Sequence, residues 1–281
     1  MLILLFIRIV LAILAFLLVA AATCHILPRL GARGRRLADQ LTRAPGLDLL
    51  VTYFTALPLI AGPIAGTLYL GDGIFAALAG LIAAILAQIL AVLVWARIHE
   101  MLHPSETRGP RIVNTLNAKV GPLRNHAAVW ITALCVPIFW VIRLAQYVVY
   151  PPLTRLVRFP RYNDPDWINV SRHKFQGLVG HDLIWCLYCD WMTGVWSLGS
   201  EMLRNVESFW CPIRFRSDRK CENCRIDFPD VATTWVAADA TMSDVTALLD
   251  DKLAHGNHAW HAHPTRLTVG DTDPTPGTEH A

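Results

Sequence analysis

LLVTYFTALPLIAGPIAGTLYL (Leu49 to Leu70) and IFAALAGLIAAILAQILAVLVWA (Ile74 to Ala96) contain no charged residue, and only Gly71-Asp72-Gly73 separates them. Each run is long enough to cross about 30 Å of hydrocarbon as a helix. A link this short brings the second helix straight back along the first, so the pair reads as a tight hairpin. Pro58 and Pro63 mark kink points in its first arm, because proline offers no N–H to the helix ladder. Both open ends of the hairpin are basic: Arg29, Arg33, Arg35, Arg36 and Arg43 precede it, and Arg97, Arg108, Arg111, Lys119 and Arg124 follow. The bias of Lys and Arg toward the cytoplasmic side puts these ends inside the cell.

Working outward toward the N-terminus, Leu2 to Ala22 is a third apolar run, interrupted only by Arg8. No basic residue precedes it while five arginines follow it, which predicts an uncleaved anchor with its N-terminus outside rather than a cleaved signal. The chain of 281 residues is 54% hydrophobic with positive mean hydropathy, which excludes an ordinary soluble protein. Its net charge of +3 gives no electrostatic footprint for nucleic acid, so the expected partners are the lipid bilayer and a protein in the membrane or cytoplasm. The expected fold is mainly α: a polytopic integral membrane protein of the cell membrane.

Toward the C-terminus, residues 127–150 have the length of a fourth span, but Pro137 divides them and Arg143 sits in the second piece. A crossing here would also carry Arg155, Arg158, Arg161, Arg172 and Lys174 outside, against the charge rule. These residues therefore predict a re-entrant or interfacial segment, with a fourth span as the alternative. Residues 1–150 form the membrane domain, with spans at about 2–22, 49–70 and 74–96, and 151–176 a basic, proline-punctuated linker. Residues 177–254 make up a cysteine-rich cytoplasmic module, and 255–281 a disordered tail containing histidines. Within the module, 177–210 reads as a helix carrying Trp185, Trp191, Trp196 and Trp210. Thr241 and Asp244 suit a capping box for a short helix over 241–253.

That module holds the strongest chemical signal. Cys186 and Cys189 form one Cys-x-x-Cys pair, Cys221 and Cys224 a second, and Cys211 lies between them. A pair at this spacing directs two thiolates at one ion, and a second pair completes a tetrahedral shell. Cys221-Glu222-Asn223-Cys224, flanked by Lys220 and Arg225, resembles the knuckle of a zinc ribbon, although the gap to the first pair is longer than zinc ribbons use. The pattern predicts a metal-thiolate site of four cysteines, zinc before an iron–sulfur cluster, with Cys211 as a reserve ligand. Such a site makes the module a structural or docking element; with iron–sulfur it would make the chain an electron-transfer membrane subunit.

A competing enzyme reading rests on His99-Glu100-Met101-Leu102-His103. Two histidines at i and i+4 of a helix can hold zinc while the glutamate activates water, the arrangement of zinc metallopeptidases. The resemblance covers these five residues only. Pro104 follows at once, Arg97 occupies a flank where that family prefers an uncharged residue, and a third ligand is needed, for which Glu201 is the acidic candidate. The alternative metal site is thus His99 and His103, with Glu100 as catalytic base.

Overall fold

The computed structural model describes residues 2–175, 177–214 and 235–254, and they are mainly helical, with no β-strand among them. Among the described residues, four stretches are long and apolar enough to cross a membrane: Leu2–Arg29, Gly46–Leu70, Ile74–Leu102 and Pro122–Leu156. Contacts divide the chain into two compact units, one of residues 1–141 with 163–195, the other of 142–162 with the chain from 196 on. The first half of the tryptophan-rich helix, as far as residue 195, belongs to the unit that holds the first three apolar stretches.

The first unit is built on the hairpin. Helices α1 (Leu2–Ile26), α2 (Gly31–Leu41), α3 (Gly46–Phe54), α4 (Ala56–Leu70) and α5 (Ile74–Leu102) follow in order. Gly71 and Gly73 turn the chain between α4 and α5 with φ of 122° and 103°, values that side chains with a Cβ rarely adopt. The two helices touch backbone to backbone. A Cβ on Gly80 would collide with the Gly62 carbonyl oxygen, and one on Gly66 with that of Ala76. Gly62 and Gly66 have the spacing of small-residue membrane helix contacts, where close approach replaces the hydrophobic drive that lipid removes. Ala83 and Ala87 continue the same helix beneath Ile9 and Val10 of α1.

The kink expected from proline appears as a break at Thr55, between α3 and α4. Pro58 has no N–H to give Phe54, four residues back. Gln88 of α5 donates its amide to the Phe54 and Thr55 carbonyl oxygens instead, both at 2.8 Å. In an apolar surround an orphaned carbonyl is expensive, and a neighbouring helix is the usual source of repair.

Beyond α5 come a short turn of helix, α6 (Pro104–Thr107), then α7 (Ile112–Val120), α8 (Pro122–Ala133) and α9 (Val136–Val148). The residues 127–150 thus include a real interruption at Leu134 and Cys135, just ahead of Pro137, which sits in the first turn of α9 where its missing donor is harmless. The apolar stretch continues into α10 (Tyr150–Leu156), so its total length suffices for a crossing. Arg143, one of the reasons for expecting otherwise, is 0% exposed. It donates to Gln146 Oε1 at 2.8 Å and Tyr147 Oη at 2.7 Å, its guanidinium 4.1 Å from the Tyr147 ring centre, so its charge is not presented to lipid.

After α11 (Asp164–Trp167), residues 168–170 pair with 42–44 through Ala44 N–H to Ile168 O (2.9 Å) and Val170 N–H to Thr42 O (2.8 Å). The long helix α12 (Gly180–Trp210) then passes so near that a Cβ on Gly194 would be 2.6 Å from the Trp167 carbonyl oxygen. Trp191, fully buried on α12, donates its indole N–H to Asp48 Oδ1 at 3.0 Å.

In the second unit, the later turns of α12 bury Leu198 and Met202 beside Glu201, Arg204, Asn205 and Ser208. Glu201 pairs with Arg204 and accepts from Tyr162 at 3.3 Å; burial, opposed by Arg204, holds its carboxyl above the usual range. Helix α13 (Met242–Leu253) begins with the capping box anticipated at Thr241 and Asp244.

Candidate functional site

Cys186 and Cys189 lie on the same side of α12, one turn apart, as their spacing requires. Both are free thiols; Cys186 is half-buried and Cys189 exposed. They open into a shallow groove of about 150 Å³ between α12 and the α7–α8 pair, whose other walls include Asn125, Val129, His181, Asp182 and Trp185. Burial, with Cys186 beside it, pushes the Cys189 thiol above the ordinary cysteine range. Cys211, the reserve ligand, is exposed just past the end of α12. Cys221 and Cys224 lie outside the described residues. Among the described residues, no group of three or more His, Cys, Asp or Glu side chains is arranged to hold a metal ion. The described half of the cysteine signal therefore supplies two thiols suited to a soft metal and no third ligand.

The groove is shaped by an ion network that the sequence pattern did not reveal. Arg111, counted there as one of the basic residues flanking the hairpin, is buried. Its guanidinium donates to Asp182 Oδ2 at 3.2 Å, to Glu100 Oε1 at 3.0 Å and to the Val179 carbonyl at 3.1 Å. Asp182 also accepts the backbone N–H groups of Ile112 and Val113, both at 3.1 Å, so a residue of α12 caps the first turn of α7. Burial opposes the charge of Asp182, but His181, Arg111 and the Val113 N–H outweigh it and hold the carboxyl below its usual range. The signal that could have exposed this network is Asp182 itself. A carboxylate among Trp185, Leu183 and Ile184 must find a cation or become neutral.

This network also bears on the HEMLH segment. Glu100 is bonded by Arg111 and, at 3.2 Å, by Arg97. His99 accepts the Gly180 N–H on Nδ1 at 3.1 Å, which leaves its proton on Nε2. His103 Nδ1 lies 2.9 Å from the His99 carbonyl oxygen and therefore carries the donor proton. The two rings stack with centres 4.3 Å apart, and His25 of α1 approaches both edge-on at 5.3 and 5.6 Å. In a zinc peptidase the glutamate faces a metal-bound water and each histidine turns a bare nitrogen to the ion. Here Glu100 is tied to two arginines, and His99 has its bare nitrogen spent on backbone. Glu201, the candidate third ligand, is committed to Arg204, Tyr162 and Asn205.

Family models, curated proteins and solved structures were each compared with this chain, and none is similar.

Proposed function

We propose that this chain is an integral membrane protein of the cell membrane whose C-terminal half binds zinc through its Cys-x-x-Cys pairs and serves as a structural or docking element. The observation that carries the proposal is the presentation of Cys186 and Cys189 one helical turn apart at the mouth of a groove. Positions three apart on a helix hold their Cβ atoms about 5–6 Å from one another, whereas a disulfide needs roughly 3.5–4.5 Å. Inside a continuous helix the pair is therefore better placed to share an ion than to oxidise. The arginines at both open ends of the hairpin support a cytoplasmic location, where thiols stay reduced and available to metal. The peptidase alternative loses support from the commitment of Glu100 and His99 to other partners.

Elemental analysis of the purified full chain tests the proposal. Near-stoichiometric zinc is expected, reduced in Cys186→Ser/Cys189→Ser and in Cys221→Ser/Cys224→Ser. Absence of zinc from the parent protein would refute it, and iron with sulfide and visible absorption would transfer the same cysteines to electron transfer. Because ligation displaces thiol protons, zinc affinity should rise as pH is raised from about 6 toward the ordinary thiol pKa of about 8.5.

A further inference from the structure

We infer that α2 is a docking surface for anionic phospholipid headgroups, lying along the membrane face between two of the apolar stretches. The inference rests on the membrane placement of those stretches and is independent of the thiol site. As sequence, the arginines between Arg29 and Arg43 read as a topology signal and a contact for anionic lipid, with no surface to carry it. The structure adds that Gly31–Leu41 is a helix and that its side chains are sorted. Leu30, Leu37 and Leu41 recur at helical spacing along one side, and Leu30 and Leu37 are 64% and 47% exposed. Arg33 borders that side, and Arg35 and Arg36 occupy the rest of the surface; all three are exposed.

The only acid on the helix, Asp39, is taken by Arg43 at 3.0 Å. Arg29, Arg33, Arg35 and Arg36 have no carboxylate within ion-pair distance among the described residues. Both ends of α2 are tethered to apolar stretches, Leu2–Arg29 before it and Gly46–Leu70 after it, so it is held at the level where those helices leave hydrocarbon. Exposed leucines beside unpaired arginines at that level match an interfacial helix on an anionic surface. A soluble partner would have to cover the same leucines while competing with the bilayer to which the helix is already tethered.

The test uses the full chain in neutral detergent, read by thermal unfolding during titration with phosphatidylglycerol, phosphatidylcholine or inorganic phosphate. Phosphatidylglycerol should raise Tm, phosphatidylcholine should do so far less, and phosphate should leave it unchanged. In Arg33→Gln/Arg35→Gln/Arg36→Gln the phosphatidylglycerol needed for half the effect should rise roughly tenfold or more, since each basic residue near such a surface contributes separately. Equal responses to the two lipids, a full response to phosphate alone, or an unchanged titration in the triple variant would each overturn the inference. Should the triple variant fail to fold, the parent decides: its phosphatidylglycerol response must shrink between low salt and about 1 M salt, where the screening length falls to about 3 Å, and persistence would overturn the inference.

Discussion

The α4–α5 hairpin and the start of α12 are both buried helical contacts, yet opposite physics holds them. The hairpin is joined by absence: Gly62, Gly66 and Gly80 have no side chains, so two backbones meet, and one glutamine repairs the carbonyl that Pro58 orphans. The start of α12 is joined by charge: Asp182 faces Arg111, and Arg111 also holds Glu100. Shape alone suffices where neighbours are uniformly apolar, because any close fit gains dispersion contacts. A buried charge instead demands one particular partner, so it fixes which surfaces meet.

The sharpest way to break the comparison is Gly80→Leu. Its Cβ alone would collide with a backbone oxygen that cannot rotate away, so the cost should exceed the usual overpacking range of about 1–3 kcal/mol. Monodisperse protein on size exclusion should be lost. Arg111→Met comes next: it leaves two carboxylates facing each other in a buried site, and breaking such a pair costs about 3–5 kcal/mol. A Tm within a degree or two of the parent would mean the network is ornamental. Gln88→Leu should cost about 1–3 kcal/mol by leaving the Phe54 carbonyl without a donor, measurable by chemical denaturation in detergent.

The charge-held contact should also respond to acid, and the shape-held one should not. Asp182 titrates below its unfolded value near pH 4, so its stabilisation is present above that pH and is lost as pH falls through the lower, folded value. The Tm difference between the parent and Asp182→Asn should therefore be full at about pH 7 and close below about pH 4, whereas that between parent and Gln88→Leu should not change. The smallest effect belongs to Arg97→Ala. Arg97 bonds the same glutamate as Arg111, but its side chain is 81% exposed, and surface pairs contribute about 0–1 kcal/mol. Equal losses from Arg97 and Arg111 variants would contradict the assignment of Arg111 as the buried hub.

The hairpin was legible in the sequence because hydropathy is a local property: a charge-free run announces a helix whatever it packs against. The turn at Gly71–Gly73, the proline break, the helical register of Cys186 and Cys189, and the cap at Thr241 were readable for the same reason. Arg111 was not, since its meaning depends on an aspartate 71 residues away. Read locally, it was one more positive charge near a membrane. Arg143 was equally opaque, since its burial depends on the partners Gln146 and Tyr147 that accept its guanidinium. The His99–Glu100–His103 letters were present, but whether such letters make a site depends on where each nitrogen's lone pair is spent, and Gly180 lies far along the chain.

A small pairing near the end of α12 has a practical use. Arg214 and Trp235, the described residues on either side of 215–234, lie where the chain is stitched to itself: Arg214 N–H to Val236 O and Val236 N–H to Pro212 O, each at 2.8 Å. The bridge is parallel, with Ile213 beside Val236 and both segments running the same way, so any connection between them has to cross back over the pair. Replacing Cys221 and Cys224 by serine, rather than excising the residues between Arg214 and Trp235, is therefore the change that removes one cysteine pair and leaves this stitch in place.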